Sequence, residues 1–197
     1  MKILFLYGNE RALTLYRWLI GQGDEVHKTQ GPITGEYLRS QGFDLVVSYS
    51  YRHIIGPAAI EAARGRIINL HISYLPYNRG ADPNLWSWLE DTPKGVTIHF
   101  ISEKLDAGDI IAQRLTPLRA GETLASSYNR LSEDVEALFR EIYPLLPHWD
   151  GMRKKPLGRG SYHPSSALAA YKANLPSYDI PVEDFCMGYG AFQSREQ

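Results

Sequence analysis

Short apolar runs alternate with helical periodicities along the first part of the chain. A continuous apolar run predicts a buried strand, and apolar residues spaced three and four apart predict a helix. Strands are predicted over residues 2–7, 25–29, 44–48 and 66–70, and helices over residues 11–20, 36–41 and 57–63. Because the strands alternate with helices, the connections should be right-handed crossovers and the strands should form a parallel sheet.

The second part of the chain has a different order of elements. Asp82 is predicted to cap a helix over residues 82–89, with Pro83 in its first turn. Strands are predicted over residues 96–101 and 110–117, followed by a long helix over residues 123–146 that includes Thr123. The whole pattern predicts an α/β fold with an open, mostly parallel, twisted sheet and flanking helices.

The chain after Pro147 is rich in glycine, proline and tyrosine, with one helical patch over residues 166–175. We expect residues 1–147 to form the main domain and residues 148–197 to form a C-terminal appendage packed on that same domain. For the unusual segment 158–164, surface packing is the favoured interpretation, and folding back towards a binding site is the alternative.

The composition sets limits on the partners of the protein. A formal net charge of −1 gives no overall field that would attract nucleic acid or an anionic membrane. The N-terminal apolar run is too short for a signal peptide, so we expect a cytoplasmic protein with neither partner. The basic residues near position 155 are interpreted as solvated surface; they are Arg153, Lys154, Lys155 and Arg159. Because Cys186 is the single cysteine, an intramolecular disulfide is excluded. We expect Cys186 to be a packed thiol.

Asn69 and His71 lie at the carboxyl end of the strand predicted over residues 66–70, where open α/β folds place their sites. Residues two apart in a strand point to the same side, and an amide and an imidazole can hydrogen-bond the same developing oxyanion. The alternative is that Asn69 closes a turn and His71 is a satisfied polar residue. Taken by itself, the pair favours that alternative.

Asp106 and Asp109 flank Gly108 just before the strand predicted over residues 110–117. This pattern favours an ordinary turn, and a role in proton transfer is the alternative. A carboxylate beside His71 would raise the pKa of that histidine and keep it charged. The histidines lack metal-ligand spacing, so no metal site is expected, and neither a dinucleotide nor a P-loop fingerprint occurs.

Three segments taken together resemble the 10-formyltetrahydrofolate-dependent formyltransferase family, which includes glycinamide ribonucleotide, methionyl-tRNA and amino-sugar enzymes. The segments are residues 67–76, 95–100 and 105–113, within a region of similarity over residues 44–145. The resemblance implies a Rossmann-like fold in which fewer residues than usual precede the strand at 44–48. It therefore implies a shortened N-terminal portion.

The resemblance also implies roles for individual residues of an enzyme that takes its formyl group from 10-formyltetrahydrofolate. Asn69 and His71 would hold the formyl oxygen, Asp106 would keep His71 charged and accept a proton from the amine, and His99 would support them. The folate would be held largely by backbone groups of two segments. The residues expected to line its site are Tyr51, Arg52, His53, Ile55, Ser102, Leu105 and Asp106.

The acceptor is expected to be the primary amine of a small molecule, most of all a nucleotide-linked amino sugar. The residues expected to border it are Gly8, Asn9, Tyr74, Tyr77, Asn78, Arg79 and Trp86. The alternative is an aminoacyl group on a peptide-synthetase carrier protein, docked near Trp86 and Trp88. A hydrolase of the folate and a non-catalytic folate binder are weaker alternatives. Transfer RNA and glycinamide ribonucleotide are disfavoured, and the sequence leaves the oligomeric state open.

Overall fold

The fold is described from a computed structural model, which describes residues 1–149 and 153–196. Its strands are β1 (Lys2–Tyr7), β2 (Glu25–Thr29), β3 (Leu45–Tyr49), β4 (Ile67–His71), β5 (Arg79–Gly80), β6 (Gly95–Phe100), β7 (Ile110–Leu115) and β8 (Tyr162–His163). Its helices are α1 (Leu13–Gly21), α2 (Gly35–Gln41), α3 (Pro57–Ala62), α4 (Pro83–Leu89), α5 (Leu124–Ile142), α6 (Ala169–Ala173) and α7 (Val182–Glu196). Two short 3-10 segments cover Glu10–Ala12 and Tyr143–His148. None of the helices in these ranges is long and apolar enough to cross a membrane.

Six of the strands form one sheet in the order β2-β1-β3-β4-β6-β7. The first four strands in this order pair in parallel, whereas β6 and β7 are added antiparallel at one side. The predicted open, mostly parallel α/β sheet is therefore confirmed. The two-residue strands β5 and β8 form a separate parallel pair.

The continuous apolar runs form strands because both faces of the sheet are covered. In β1, Ile3 and Phe5 pack in a cluster with residues of α1 and α5, while Leu4 and Leu6 pack on the opposite face with residues of α2 and α3. All four of these β1 side chains are fully buried. Alternate residues of one strand thus contribute to two different cores, which is why no polar alternation is present.

The ends of several helices differ from the predicted ones. Thr123 precedes α5 and caps it, because its side chain accepts from the Ser126 N–H and the Ser126 hydroxyl accepts in return. Asp82 occupies the cap position of α4, but its side chain does not cap the helix. Instead Asp82 Oδ1 accepts a hydrogen bond from Lys172 Nζ at 2.6 Å. Helix α7 was not predicted.

The described part of the tail after Pro147 contacts the rest of the molecule at several places. Lys154 exchanges backbone hydrogen bonds with Ile110 at the edge of the sheet, and the Arg153 guanidinium lies 3.9 Å from the Phe100 ring centroid. Strand β8 pairs with β5. A third hydrophobic cluster joins α4 and the start of α5 to the tail helices, and its buried members are Leu85, Leu124, Leu168, Tyr171, Val182 and Phe185. Cys186 packs against this cluster, and burial raises the pKa of its thiol.

Candidate active site

The pairing of β4 with β6 places the first two polar side chains of the site. Asn69 and His99 are cross-strand partners in this antiparallel pair. Asn69 Nδ2 lies 3.3 Å from His99 Nε2, and His99 Nδ1 lies 2.8 Å from the Phe100 carbonyl oxygen. Because a carbonyl oxygen only accepts, His99 Nδ1 carries a proton that it donates to this oxygen, which fixes the orientation of the ring.

Asp106 lies on the loop between β6 and β7 and contacts every other member of the site. Its Oδ1 accepts from Asn69 Nδ2 at 3.2 Å and lies 3.4 Å from His99 Nε2. Its Oδ2 accepts from the Gly80 N–H at 2.9 Å and lies 3.8 Å from His71 Nδ1. The carboxylate therefore links residues from β4, β5 and β6.

Gly108 allows the loop that carries Asp106 to turn back onto β6. A β-carbon at this position would overlap the Phe100 carbonyl oxygen. Asp106 itself has a φ of +47°, a left-handed conformation that Asp tolerates better than most residues. The motif of two aspartates around a glycine thus makes a tight turn, as the sequence favours, and this turn places the Asp106 carboxylate beside His71.

His71 is held by its other ring nitrogen. Nε2 lies 3.2 Å from the Asn78 carbonyl oxygen, so Nε2 carries a proton that it donates to this oxygen. Nδ1 is then the nitrogen that faces Asp106. The side chains of His71 and Asp106 are only 7% and 10% exposed, respectively, so solvent screens their interaction weakly.

The charge states of the pair follow from a competition between burial and attraction. Burial lowers the pKa of His71, and the attraction of Asp106 and the hydrogen bond to Asn78 offset this only in part. Burial acts to raise the pKa of Asp106, but the attraction of His71 and the interaction with His99 outweigh it and hold this pKa well below its ordinary value. Burial thus favours the neutral form of His71 in the resting site, against the effect expected of Asp106, whereas Asp106 is held in its ionised form.

A cavity of about 1140 Å³ opens over these residues. All of the residues predicted to line a folate site border this cavity, including Tyr51, Arg52 and Ser102. Ile54 and Leu105, also on its wall, are 87% and 47% exposed. Exposed apolar side chains at the mouth of a large cavity are typical of a binding site for a partly apolar ligand.

The residues predicted to border an acceptor are only partly on this cavity. Asn9 lines it, and its side chain is held by Tyr128, with Asn9 Nδ2 3.2 Å from the hydroxyl. Gly8 is not on the wall of the cavity, and a β-carbon there would overlap the Ser50 carbonyl oxygen. The absence of a side chain at Gly8 thus lets the chain after β1 and the chain after β3 lie close together.

Four more of the predicted acceptor residues, Tyr74, Tyr77, Asn78 and Arg79, also lie outside the wall of this cavity. Asn78 is fully buried and holds His71 through its carbonyl oxygen. Trp86 lies behind the wall, stacked on His163 with ring centroids 3.8 Å apart. Trp88 is half-buried, and its Nε1 donates to the Ser127 hydroxyl, so its ring takes part in packing.

The tail supplies residues to the cavity that were not among the predicted site residues. Tyr162 and His163 of β8 line it, together with Lys172 and Tyr178. His163 Nε2 also lies 3.1 Å from Glu90 Oε1. The favoured interpretation of segment 158–164 as mere surface packing is therefore wrong, and its glycines and prolines were the only signal that it folds back.

The sequence and the fold both have close counterparts among known proteins. The family model described as Formyl transferase matches residues 27–142, well over half of the chain. The chain belongs to the formyl transferase family. Among relatives of this family member, the dTDP-4-amino-4,6-dideoxyglucose formyltransferase of Mycobacterium bovis is 36% identical over 133 residues, which are 68% of this chain and 51% of the relative. The methionyl-tRNA formyltransferase of Geobacillus thermodenitrificans is 36% identical over 104 residues, 52% of this chain and 33% of the relative.

One solved structure matches this family member over nearly its whole length. It is the formyltransferase PseJ from Anoxybacillus kamchatkensis, in complex with UDP-4,6-dideoxy-4-formamido-L-AltNAc and tetrahydrofolate. The two are 41% identical with a TM-score of 0.84, and the match covers 93% of this chain and 96% of that one. By contrast, this chain spans about half of the first curated relative named above and about a third of the second.

Proposed function

We propose that this protein is an N-formyltransferase that moves a formyl group from 10-formyltetrahydrofolate to the amine of a nucleotide-linked amino sugar. The observation that carries the proposal is the position of Asp106. Its carboxylate links Asn69, His71 and His99 at one side of a single cavity of about 1140 Å³. Such a cavity has room for a donor and an acceptor that meet at this group.

The donor half of the cavity fits a reduced folate. Ile54 and Leu105 offer exposed apolar surface, which suits a flat ring system with an apolar face. The Tyr51 hydroxyl donates to the Gly31 carbonyl oxygen at 2.6 Å, which fixes that side of the wall. When bound there, 10-formyltetrahydrofolate supplies the electrophilic formyl carbon. The similarity to a structure that contains tetrahydrofolate supports this assignment.

The acceptor half of the cavity carries aromatic and basic side chains from the tail. Tyr162, His163 and Tyr178 can stack on a base or a sugar ring. Lys172 Nζ, now paired with Asp82, supplies a positive charge suited to a diphosphate. The similarity to PseJ, whose structure contains a UDP-linked formamido sugar, supports a UDP-linked 4-amino sugar as the acceptor.

In the proposed reaction, His71 accepts and returns the proton. Its Nε2–H is used by Asn78, so the free Nδ1 takes the proton that the amine loses when it attacks the formyl carbon. Asp106 stabilises the imidazolium that forms. Protonated Nδ1 and the Asn69 amide can then donate to the oxyanion, and the proton finally passes to the folate nitrogen that leaves. One carbon–nitrogen bond forms, one breaks, and His71 returns to its neutral state.

A panel of acceptors tests the proposal. The protein would be incubated with 10-formyltetrahydrofolate and, separately, with a UDP-linked 4-amino sugar, a dTDP-linked 4-amino sugar, free amino acids and an aminoacyl carrier protein. We expect release of tetrahydrofolate with the nucleotide sugars, fastest with the UDP sugar. Release with the carrier protein alone would support that alternative, and release without any acceptor would support a hydrolase. The cytoplasmic location expected from the sequence is part of the same proposal.

A further inference from the structure

The segment over residues 76–81 connects β4 to α4 and is held along one side by the tail. The Asn78 N–H donates to the Ser161 hydroxyl at 2.9 Å, and the Arg79 N–H donates to the Ser161 carbonyl oxygen at 3.1 Å. The Ala81 N–H donates to the His163 carbonyl oxygen at 2.9 Å. These bonds include the pairing of β5 with β8 and extend it at both ends.

The same segment holds the reacting pair along its other side. The Gly80 N–H, which lies between the Arg79 and Ala81 donors, points the opposite way and donates to Asp106 at 2.9 Å. The Asn78 carbonyl oxygen accepts from His71 at 3.2 Å. Successive backbone groups of a strand alternate in direction, so a segment fixed on one side by the tail is fixed on the other towards the site.

Ser161 is a tail residue whose side chain hydrogen-bonds this segment directly. Its hydroxyl accepts from the Asn78 backbone and donates to Asn78 Oδ1 at 3.2 Å. Asn78 is fully buried and has a left-handed φ of +54°, a conformation that its partners must maintain. Its Nδ2 donates to the Thr92 hydroxyl at 2.7 Å. Next to Ser161, a β-carbon on Gly160 would overlap the Pro76 carbonyl oxygen, so the tail and the segment are in direct contact.

We propose that Ser161 is a positioning residue for formyl transfer, which holds Asn78 so that the His71 ring presents Nδ1 to Asp106 and to the substrates. Ser161 is not on the wall of the cavity and so acts through Asn78. The proposal rests on the proposed function, because it assigns the residue a part in that reaction. The tail would then have two parts in the reaction: it lines the acceptor half of the cavity, and through Ser161 it positions His71.

The substitution Ser161→Ala leaves the Asn78 N–H and Oδ1 without this hydroxyl partner. Buried polar groups that lose a hydrogen-bond partner tend to shift towards a new one. A shift of the Asn78 backbone would move the carbonyl oxygen that orients His71. We expect kcat to fall by about tenfold on this basis, while KM for both substrates stays within about twofold. Ser166→Ala is the matched control, because it removes an exposed hydroxyl of the same tail. It should leave kcat unchanged.

A second readout separates positioning from a general loss of structure. Nitrogen NMR of the His71 ring, assigned with a His71→Gln variant, should show protonated Nε2 in the wild type and a mixture of tautomers in Ser161→Ala. Ser161→Thr keeps a hydroxyl and should restore both the single tautomer and at least half of the wild-type kcat. If Ser161→Ala does not fold, Ser161→Cys replaces it in the same measurements, since it keeps the volume and weakens the hydrogen bonds.

The outcomes distinguish this proposal from the function on which it rests. A wild-type protein without formyl transfer defeats the proposed function, yet the His71 tautomers of wild type and Ser161→Ala still report whether Ser161 orients the ring. A Ser161→Ala variant with wild-type kcat and an unchanged His71 spectrum overturns the positioning role. So does a Ser161→Thr variant that is as impaired as Ser161→Ala.

Discussion

At the scale of single residues, the site depends on a neutral histidine and an ionised aspartate that are both buried. Asn69 is held by its hydrogen bond to Asp106, and His71 by its hydrogen bond to the Asn78 carbonyl oxygen, before any substrate binds. Such preorganised groups stabilise charge that develops in a transition state without having to reorganise. We therefore expect small changes of these side chains to have large effects on the rate.

The pH dependence of the reaction should report on His71. Its Nδ1 accepts a proton only when the ring is neutral, and its pKa lies below the ordinary value of about 6.5 because of burial. On the acid side of the pH profile, kcat/KM should therefore decline with a midpoint below pH ~6.5. In Asp106→Asn, loss of the attraction that raises this pKa should move the midpoint to still lower pH and reduce the rate by about 10². A midpoint that moves to higher pH would contradict the assignment.

Asn69 is expected to donate to the developing oxyanion. Its replacement by alanine should lower kcat by about 10²–10³, the usual effect of removing one such donor, with the fold intact. Circular dichroism and steady-state kinetics check both parts. The control is Asn174→Ala, which removes an exposed amide that bonds only the Ala170 carbonyl oxygen within α6. An Asn69→Ala variant with more than half of the wild-type turnover would exclude this role.

The donor half of the cavity makes a prediction about one exposed side chain. Leu105 is 47% exposed on the cavity wall, so Leu105→Ser should cost little stability but remove apolar contact with the folate. We expect KM for 10-formyltetrahydrofolate to rise by about tenfold, on the scale of burying one leucine side chain, with KM for the acceptor unchanged. Leu118→Ser, at a residue 62% exposed and outside the cavity, is the control. Equal KM values for the two variants would place the folate elsewhere.

At the scale of elements, the inner strands of the large sheet, β1, β3, β4 and β6, could be predicted because each is a largely apolar run that is buried in the sheet. The pairing of β5 with β8 could not be predicted in the same way. Each strand has two residues and no periodicity, and the pair joins segments far apart in the sequence. The hydrogen bond between His71 and the Asn78 carbonyl oxygen could not be predicted from the sequence either. It forms only when the turn after β4 brings the two residues together, and from the sequence Asn78 was predicted as an acceptor contact.

Helix α7 shows a second reason for a missed element. It contains Gly188 and Gly190, which lower helix propensity, and its apolar residues do not form one continuous stripe. Its stability comes from contact with α4 and the rest of the tail cluster, with Phe185 fully buried. Tertiary packing thus outweighs local preference, and nothing in a local window indicates which surface the helix will meet.

The loop between β6 and β7 tests how an element positions a residue. Gly108→Ala would force a β-carbon against the Phe100 carbonyl oxygen and shift the turn that carries Asp106. We expect activity to fall by at least tenfold, since small displacements of reacting groups are costly. Gly21→Ala, at the end of α1 with open space around it, should be neutral or slightly stabilising. A Gly108→Ala enzyme as active as Gly21→Ala would show that the close approach is unnecessary.

At the scale of the whole molecule, the tail is joined to α4 and the start of α5 by a shared hydrophobic cluster. Phe185→Ala should lower the free energy of unfolding by about 3–5 kcal/mol, the usual cost of truncating a buried aromatic residue. Met187→Ala, at a residue 67% exposed in the same helix, should change it by less than about 0.5 kcal/mol. Denaturant titration followed by fluorescence measures both. Similar values for the two variants would mean that the tail contributes little to the stability of the molecule.

The central claim is that one cavity brings a folate-borne formyl group and an amine together at Asn69, His71 and Asp106. The most direct test is to supply 10-formyltetrahydrofolate with an isotopically labelled formyl carbon together with a UDP-linked 4-amino sugar. We expect the label to appear in a formamide on the sugar, one per tetrahydrofolate released, and we expect Asn69→Ala and His71→Gln each to nearly abolish this transfer. Label that appears only as free formate, or that stays on the folate, would contradict it.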